Sequence, residues 1–277
     1  MWFNCEDSYE KDGQTINYGD EGYEYNETNC ELWRIIGVFD VEGTKRVKII
    51  NTSSTFTALW DLSASDVNNG YGVNQWGATN TYEGANLMSL LNGYYIETND
   101  DNIADEDKSA CTYCSLLKPL TASALGMISN AKWYTYATNT STASTAYLQE
   151  RGITNEYTGK DCTANDTYCS DQVTRENEWE GLVGLMYLSD MRYANGWLYR
   201  SSPYAWTISP RSHSSNAPNV WYARSSDAYD DYASILIGVW PSVYLNSNVE
   251  IIDGDGSSTK TTDGTGPYII KKMSVSA

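Results

Sequence analysis

Six cysteines are the residues of this 277-residue chain whose spacing most directly suggests chemistry. They form three pairs that are local in sequence, namely Cys5 with Cys30, Cys111 with Cys114, and Cys162 with Cys169. Many connectivities are formally allowed, but pairing within each local pair needs the fewest assumptions. The Cys-x-x-Cys spacing at residues 111–114 also occurs in zinc sites and redox dithiols. Because neither a second such motif nor a histidine cluster accompanies it, we predict three local disulfides, and therefore an oxidising compartment.

Nucleophilic catalysis would need residues that this chain does not group together. Its one histidine, His213, lies in a serine-rich stretch without an evident acidic partner. Ser-His-Asp and Cys-His mechanisms need a base that a third group orients. Carboxylates are numerous and glycoside hydrolysis needs only two of them, but no pair stands out. We therefore predict that the chain is not an enzyme.

Acidic segments raise the question of calcium binding. Residues 253–257, Asp-Gly-Asp-Gly-Ser, begin like a calcium loop, but Ser258 and Gly264 stand where that loop has its glycine and its bidentate glutamate. A second acidic run extends from Asp100 to Asp107. Chains this acidic carry such clusters on solvated faces. We predict plain acidic turns and no cofactor, with structural calcium as the alternative at either place.

Composition excludes several classes of protein. The chain is 41% hydrophobic and 19% charged, which is enough apolar material for a core. Its 18 basic and 36 acidic residues give a net charge of −18, so we expect no nucleic-acid partner. It has 23 Tyr and 10 Trp against 3 Phe, and such polar-tipped rings suit half-exposed contact surfaces. Since we find no membrane-helix or signal-peptide pattern, we expect a mature or trimmed ectodomain.

Short strands are the predicted elements that position these residues. Residues 32–39 and 46–50 are rich in strand-forming residues and flank a Glu-Gly turn, which predicts a hairpin. Further strands are predicted at 181–188, 240–245, 249–252 and 268–270, and short helices at 84–92, packing through Leu87, Leu90 and Leu91, and at 122–131. We expect the first and last strands to share a sheet. Residues 97–180, which hold four cysteines, are predicted to be an insertion that disulfides stabilise.

Four motifs follow one another along the chain: Trp33-Arg-Ile-Ile-Gly37; Gly184-Leu-Met-Tyr-Leu-Ser-Asp190 with Tyr193-Ala194; Ala205-Trp-Thr-Ile-Ser-Pro210; and Gly238-Val-Trp-Pro-Ser-Val-Tyr-Leu245, leading to Gly254-Asp-Gly-Ser-Ser258 and Pro267-Tyr-Ile269. Together they resemble surface proteins of gut Firmicutes whose C-terminal domain is related to C-type-lectin and formylglycine-generating-enzyme folds. The resemblance implies one α+β, C-type-lectin-like domain over residues 1–277, with short antiparallel sheets, few helices and long ordered loops.

The chain departs from this family in two respects. Trp240 stands where the family more often has Arg, and no cysteine follows Cys169, so the enzymatic activity of the wider fold is not carried over. In proteins of this family the C-terminal domain often follows a pilin-like N-terminal helix. Attachment to a pilus or cell surface is therefore implied through a segment absent here.

Some C-type-lectin-fold proteins are diversified by retroelements that mutate adenines, chiefly in asparagine codons near the C-terminus. Such codons never become Lys, Glu, Gln, Met or Trp. From Arg192 to Val249 this chain has no Lys, Glu, Gln or Met. The resemblance thus implies a variable region at about 207–240, in which Trp240 would derive from an arginine codon by one adenine change. A solvated Asn/Ser-rich loop pair of fixed sequence is the alternative.

The region also has the composition of antibody contact surfaces, where tyrosine gives stiff contact area and serine and asparagine adapt their hydrogen bonds. We predict a ligand-binding set of aromatic, polar and apolar residues: Tyr222, Tyr229, Tyr232 and Trp240; Arg211, His213, Asn219, Arg224, Asp227, Asp230 and Asp231; and Ile235 and Ile237. Trp221 is predicted to point inward, with Trp206 and Trp197 as framework. Such a face would bind an unknown protein or glycan outside the cell. A fixed-specificity carbohydrate-binding adhesin, a structural pilin head and a hydrolase are the alternatives.

Overall fold

Strand-forming residues dominate the computed structural model, which describes residues 1–51, 57–61, 85, 87–88, 90–92, 120–134, 142–150, 178–193, 204–211, 219–224, 227–257 and 266–273. Of these residues 51% are in strands and 13% in helices. The helices with defined bounds are α1 (Ala122–Met127), α2 (Ala143–Glu150) and α3 (Asp190–Tyr193). The predicted α+β, C-type-lectin-like class is therefore wrong, because helices of 6, 8 and 4 residues do not form a layer beside the sheets.

The strands within the described part of the chain are, in order, β1 (Trp2–Phe3), β2 (Ser8–Lys11), β3 (Gln14–Asn17), β4 (Glu31–Val41), β5 (Thr44–Asn51), β6 (Thr57–Ala58), β7 (Ala131–Tyr134), β8 (Glu178–Gly181), β9 (Val183–Leu185), β10 (Ala205–Arg211), β11 (Asn219–Arg224), β12 (Asp227–Tyr232), β13 (Ile237–Gly238), β14 (Pro241–Tyr244), β15 (Val249–Asp253) and β16 (Ile269–Lys272). They form a seven-stranded sheet, a five-stranded sheet and two hairpins, β2–β3 and β7–β8.

The larger sheet has the order β15-β16-β1-β4-β5-β14-β9. The predicted hairpin is confirmed as β4 and β5, which turn through Glu42 and Gly43, both with positive φ. Asp40 stabilises this turn because its Oδ1 accepts the Gly43 N–H at 2.8 Å. The first and last predicted strands do share this sheet, with β1 between β4 and β16.

The smaller sheet carries the predicted variable region. Its order is β12-β11-β10-β13-β6, so β12 stands at one edge. Strands β10, β11 and β12 pair antiparallel, whereas β13 runs parallel to β10 and antiparallel to β6. Trp240 lies between β13 and β14, and the other predicted contact residues that the structure describes lie on this sheet and on the short connection after β12.

Tryptophans dominate the core between these elements. Trp33, Trp60, Trp133, Trp206, Trp221 and Trp240 are among its largest fully buried side chains. The Trp60 indole N–H donates to the Thr207 carbonyl, and that of Trp206 to the Ala58 carbonyl, each at 3.0 Å. A buried indole needs such a partner. The framework role predicted for Trp206 and the inward orientation predicted for Trp221 are confirmed, while Trp197 lies outside the described residues.

The predicted short helices are confirmed in part. Leu87, Leu90 and Leu91 are helical and buried as expected. Helix α1 begins at the predicted residue, where Thr121 Oγ1 accepts the Ala124 N–H at 3.3 Å. It ends at Met127 and not at 131, because Ile128 is extended and leads into β7.

The predicted insertion at 97–180 is described at 120–134, 142–150 and 178–180. Its described parts join the main core, since Met127, Trp133 and Ala146 are buried there. The boundaries of this insertion remain a prediction.

Cys5 and Cys30 form a disulfide, which confirms the first predicted pair. The bond lies in a small second core, which contains Trp2, Tyr23 and Tyr25. Cys111, Cys114, Cys162 and Cys169 lie outside the described residues. No helix in the described ranges is both long and apolar enough to cross a membrane.

Candidate ligand-binding face

Strands β11 and β12 form a regular ribbon that carries most of the predicted contact residues. Tyr222 lies opposite Tyr229, Arg224 opposite Asp227, and Val220 opposite Asp231. Because successive side chains of a strand point to opposite faces, these six share one face of the ribbon. We use the name tyrosine face for the surface formed by Tyr204, Tyr222, Arg224, Asp227, Tyr229 and Asp231.

Arg224 lies between two tyrosine rings on this face. Its guanidinium carbon is 5.2 Å from the ring centroid of Tyr204 and 5.3 Å from that of Tyr229. Both rings are exposed, Tyr229 to 45%. A cation over an exposed aromatic ring contributes about 0.5–1 kcal/mol. These contacts restrict three long side chains before a ligand arrives, which lowers the entropy that binding must remove.

Tyr222 forms the base of this arrangement. It is buried, and its ring centroid lies 5.8 Å from that of Tyr204, 6.2 Å from that of Tyr229 and 6.1 Å from that of Trp206. Burial, and then the negative charge of Asp231, raise the pKa of the Tyr222 hydroxyl above its usual value. The hydroxyl therefore stays protonated and can donate a hydrogen bond.

The opposite face of the ribbon is organised differently. Arg211 and Asn219 both bind Asp230, the latter by an Nδ2–Oδ2 hydrogen bond of 2.6 Å. The Arg211 guanidinium also lies 5.8 Å from the Trp221 ring centroid. These partly buried groups bind one another and hold the ribbon together. We therefore place Arg211, Asn219 and Asp230 in the support of the site.

The predicted contact set is consequently divided between two surfaces. The register puts Tyr232 beside Asp230 on the opposite face, although its ring is 38% exposed. Tyr229 and Tyr232 are three residues apart, and an odd spacing in a strand separates two side chains. The two tyrosines therefore cannot contact one small epitope together.

Two further predicted contact residues are buried. Trp240 is 2% exposed, and Ile237 lies in β13 between β10 and β6. Neighbouring elements cover both side chains, so we leave Trp240 and Ile237 out of the candidate face. Ile235 is half-buried against the core. His213 lies outside the described residues.

Sequence reasoning missed two exposed residues near this region. Tyr204 precedes β10 and joins the tyrosine face, and Leu236 is 52% exposed. Tyr204 could have been predicted from its spacing. It is two residues from Trp206, which pairs with Tyr222, and residues two apart along an extended chain point to the same face. Leu236 lies between the partly buried Ile235 and the buried Ile237, so its exposure follows no simple alternation.

The edge strand β12 is protected by its own aspartates. The Ala228 N–H donates to Asp227 Oδ1 and the Tyr232 N–H to Asp231 Oδ1, each at 2.8 Å. A backbone N–H bonded in this way is less available to a strand from another chain. The geometry thus favours recognition through side chains over addition of a strand.

A buried polar network fixes β10, the strand beneath the ribbon. Between its pairs with β11 at Trp206 and Pro210, β10 carries an irregularity. There Thr207 Oγ1 donates to the Trp221 carbonyl at 2.8 Å. Ser209 Oγ donates to the buried carboxylate of Glu150 in α2 and accepts the Leu188 N–H at 3.0 Å. These bonds connect the small sheet to its surroundings and keep the face rigid.

The calcium-like segment is held by its own backbone. Asp255 Oδ1 accepts the N–H groups of Ser257 and Gly266, each at 3.0 Å. These bonds, that from Ser257 foremost, lower the pKa of the Asp255 carboxyl. The carboxylate therefore closes a turn. The described residues contain no group of three or more His, Cys, Asp or Glu side chains placed to hold a metal, and residues 100–107 lie outside them.

Comparison of the chain with protein-family models, with curated proteins and with solved structures gives no match. Its function must therefore be argued from its own residues. The tyrosine face presents aromatic surface, one cation and two carboxylates above the buried ring of Tyr222. Those groups are suited to non-covalent contact with a ligand.

Proposed function

We propose that this chain is an extracellular binding protein that recognises its ligand through the tyrosine face and carries out no reaction on it. The observation that carries this proposal is the exposed Tyr204–Arg224–Tyr229 array above a buried Tyr222. Tyrosine and arginine are the residues that contribute most to binding at protein interfaces. Because a hydrogen-bonded sheet holds these side chains, ligand binding should lose little conformational entropy in ordering them.

The disulfide supports the extracellular location. Cys5–Cys30 would be reduced in an ordinary cytosol but is stable in an oxidising compartment. The net charge of −18 keeps such a protein soluble and favours ligands that are not strongly acidic.

We propose in addition that a retroelement has varied the sequence of this face. Its exposed Arg, Asp and Tyr residues at 224, 227 and 229 are all residues that mutated asparagine codons encode. Tryptophan is not, and two tryptophans beside these positions, Trp206 and Trp221, are buried. The three exposed residues are thus compatible with diversification, and the two buried tryptophans with a scaffold that such codons do not encode.

A paired substitution tests the binding proposal. Wild-type protein is screened against a glycan array and a random-peptide display library, and its hits are then measured with Tyr229→Ser and Tyr232→Ser. The two tyrosines have similar exposure but lie on opposite faces of the ribbon. We expect Tyr229→Ser to lose about tenfold or more in affinity, since aromatic interface residues often contribute 2 kcal/mol, and Tyr232→Ser to bind normally. Loss on Tyr232→Ser alone would refute the tyrosine face.

The diversification proposal has a separate test in DNA. We expect a template repeat near the gene, almost identical to the codons of residues 207–240 and differing at adenines, beside a reverse-transcriptase gene. A gene without that repeat would contradict diversification and leave a binding protein of fixed specificity. Hits confined to the glycan array would then favour the carbohydrate-binding adhesin.

A further inference from the structure

The core holds an ion pair that solvent does not reach. Lys48 in β5 and Asp190 at the start of α3 are both 0% exposed, and Lys48 Nζ lies 2.6 Å from Asp190 Oδ2. The two residues are 142 positions apart in sequence. This pair lies apart from the tyrosine face, and the binding proposal does not use it.

Aromatic rings enclose the amine. Lys48 Nζ lies 3.9 Å from the ring centroid of Tyr187, 5.0 Å from that of Trp133 and 5.2 Å from that of Tyr244. All three rings are buried, and they separate the pair from water. An ion pair in such surroundings must offset a desolvation cost of several kcal/mol per ion.

The carboxylate is held in place as firmly as the amine. Asp190 Oδ2 also accepts the Tyr187 N–H at 2.7 Å. The N–H of the preceding Ser189 donates to buried Glu150 Oε2 at 2.5 Å. Asp190 is therefore fixed against Lys48, and the fold holds an amine and a carboxylate together as the two partners of one intramolecular reaction.

We propose that Lys48 and Asp190 condense into an intramolecular amide that cross-links β5 to α3. In water, ionisation of an amine and a carboxylic acid opposes this reaction. In a dry core the neutral forms are favoured instead, so one proton can pass from Nζ to Oδ2 along their hydrogen bond. The reaction then replaces two buried charges with one neutral amide.

Atoms and charges balance without any further reactant. The Nζ lone pair attacks Cγ, a new Nζ–Cγ bond forms and one Cγ–O bond breaks. The departing oxygen takes two of the three ammonium hydrogens and leaves as water, and the third hydrogen stays on the amide nitrogen. No oxidation or reduction occurs. The product closes a loop of 142 residues, which restricts the unfolded chain as a disulfide does.

Intact-mass measurement of the full chain, reduced, alkylated and denatured, tests the proposal. We expect a mass one water molecule lower than that of the sequence with its six cysteines alkylated. After trypsin digestion, cleavage after Lys48 should be lost and a branched peptide should join Lys48 to Asp190. A full sequence mass together with linear peptides that contain free Lys48 would overturn the cross-link.

Two controls make the result specific. Lys48→Met should have its full sequence mass, which can be read on denatured protein whether or not the variant folds. Asp-Gly sites such as Asp12-Gly13 and Asp253-Gly254 can also lose water by forming a succinimide, which hydroxylamine opens. Hydroxylamine leaves a secondary amide intact. If hydroxylamine converts the species that lacks one water into a hydroxamate, or if Lys48→Met still lacks one water, the proposal is overturned.

Discussion

The separation between scaffold and binding face can be measured as a difference in stability. Trp240 and Tyr229 are both large aromatic residues of the predicted contact set, but Trp240 is 2% exposed and Tyr229 is 45% exposed. Replacing a buried tryptophan by alanine removes its packing and leaves a cavity, at a cost of about 3–5 kcal/mol. We expect Trp240→Ala to lower the free energy of unfolding by that amount.

Tyr229→Ala should cost far less. The described ring contacts of Tyr229 are one cation–π contact with Arg224 at 5.3 Å and one ring contact with Tyr222 at 6.2 Å. An exposed cation–π contact contributes about 0.5–1 kcal/mol. The ring pair adds little, because its centroid separation is near the upper limit for such interactions. We therefore expect a loss of about 1 kcal/mol, and the two variants should differ by at least about 2 kcal/mol.

Urea unfolding at one pH, followed by fluorescence and circular dichroism, gives both values if the two probes coincide. Leu236→Ala is the matched control, because Leu236 is 52% exposed and should change stability by no more than about 0.5 kcal/mol. If Tyr229→Ala destabilised the chain as much as Trp240→Ala, the ring of Tyr229 would belong to the core. The tyrosine face would then not be a surface.

Two further perturbations test the small core around the disulfide. Cys5→Ala with Cys30→Ala opens a loop with a sequence separation of 25 residues. Loop-closure entropy gives an expected loss of about 3.5 kcal/mol in urea unfolding, and a loss below about 1 kcal/mol would contradict that account. Burial, and then the neighbouring Tyr25 and Tyr23, raise the pKa of Tyr18 above its usual value. The folded state thus holds this proton more tightly, so stability should fall as pH rises above about 10, and Tyr18→Phe should show a shallower decline between about pH 9 and pH 11. Equal slopes of stability against pH for Tyr18→Phe and the unchanged protein would refute this role of Tyr18.

Local patterns in the sequence were enough to predict part of the fold. The β4–β5 hairpin follows from two strand-forming runs around a Glu-Gly turn, and α1 begins at Ala122 as predicted. The β2–β3 hairpin was missed although Asp12-Gly13 is a strong turn signal, and both residues have positive φ. The α+β class was wrong because it was taken from a resemblance to a family. The helix content of this chain depends instead on the length of each of its helices, which the resemblance did not predict.

The site was harder to predict because exposure in a sheet depends on neighbours that are distant in sequence. Alternation alone could separate Tyr229 from Tyr232 but could not show that β10 and β6 flank β13 and bury Ile237. The same limit applies to Trp240, whose burial depends on the packing of the two sheets. Tyr204 lies just before β10, and its contact with Arg224 of β11 depends in the same way on residues distant in sequence.

The protected edge explains how such a face could change its sequence without losing its strand. Asp227 and Asp231 bond backbone N–H groups of β12, so their replacement by an apolar residue would leave that edge open to aggregation. Asparagine and serine side chains can accept the same hydrogen bond. Both are encoded by asparagine codons or their adenine mutants. Variation drawn from that set can therefore keep edge protection at 227 and 231 while residues 224 and 229 alter the chemistry of the face. The buried Trp206 and Trp221, which those codons do not encode, would remain part of the core beneath the face.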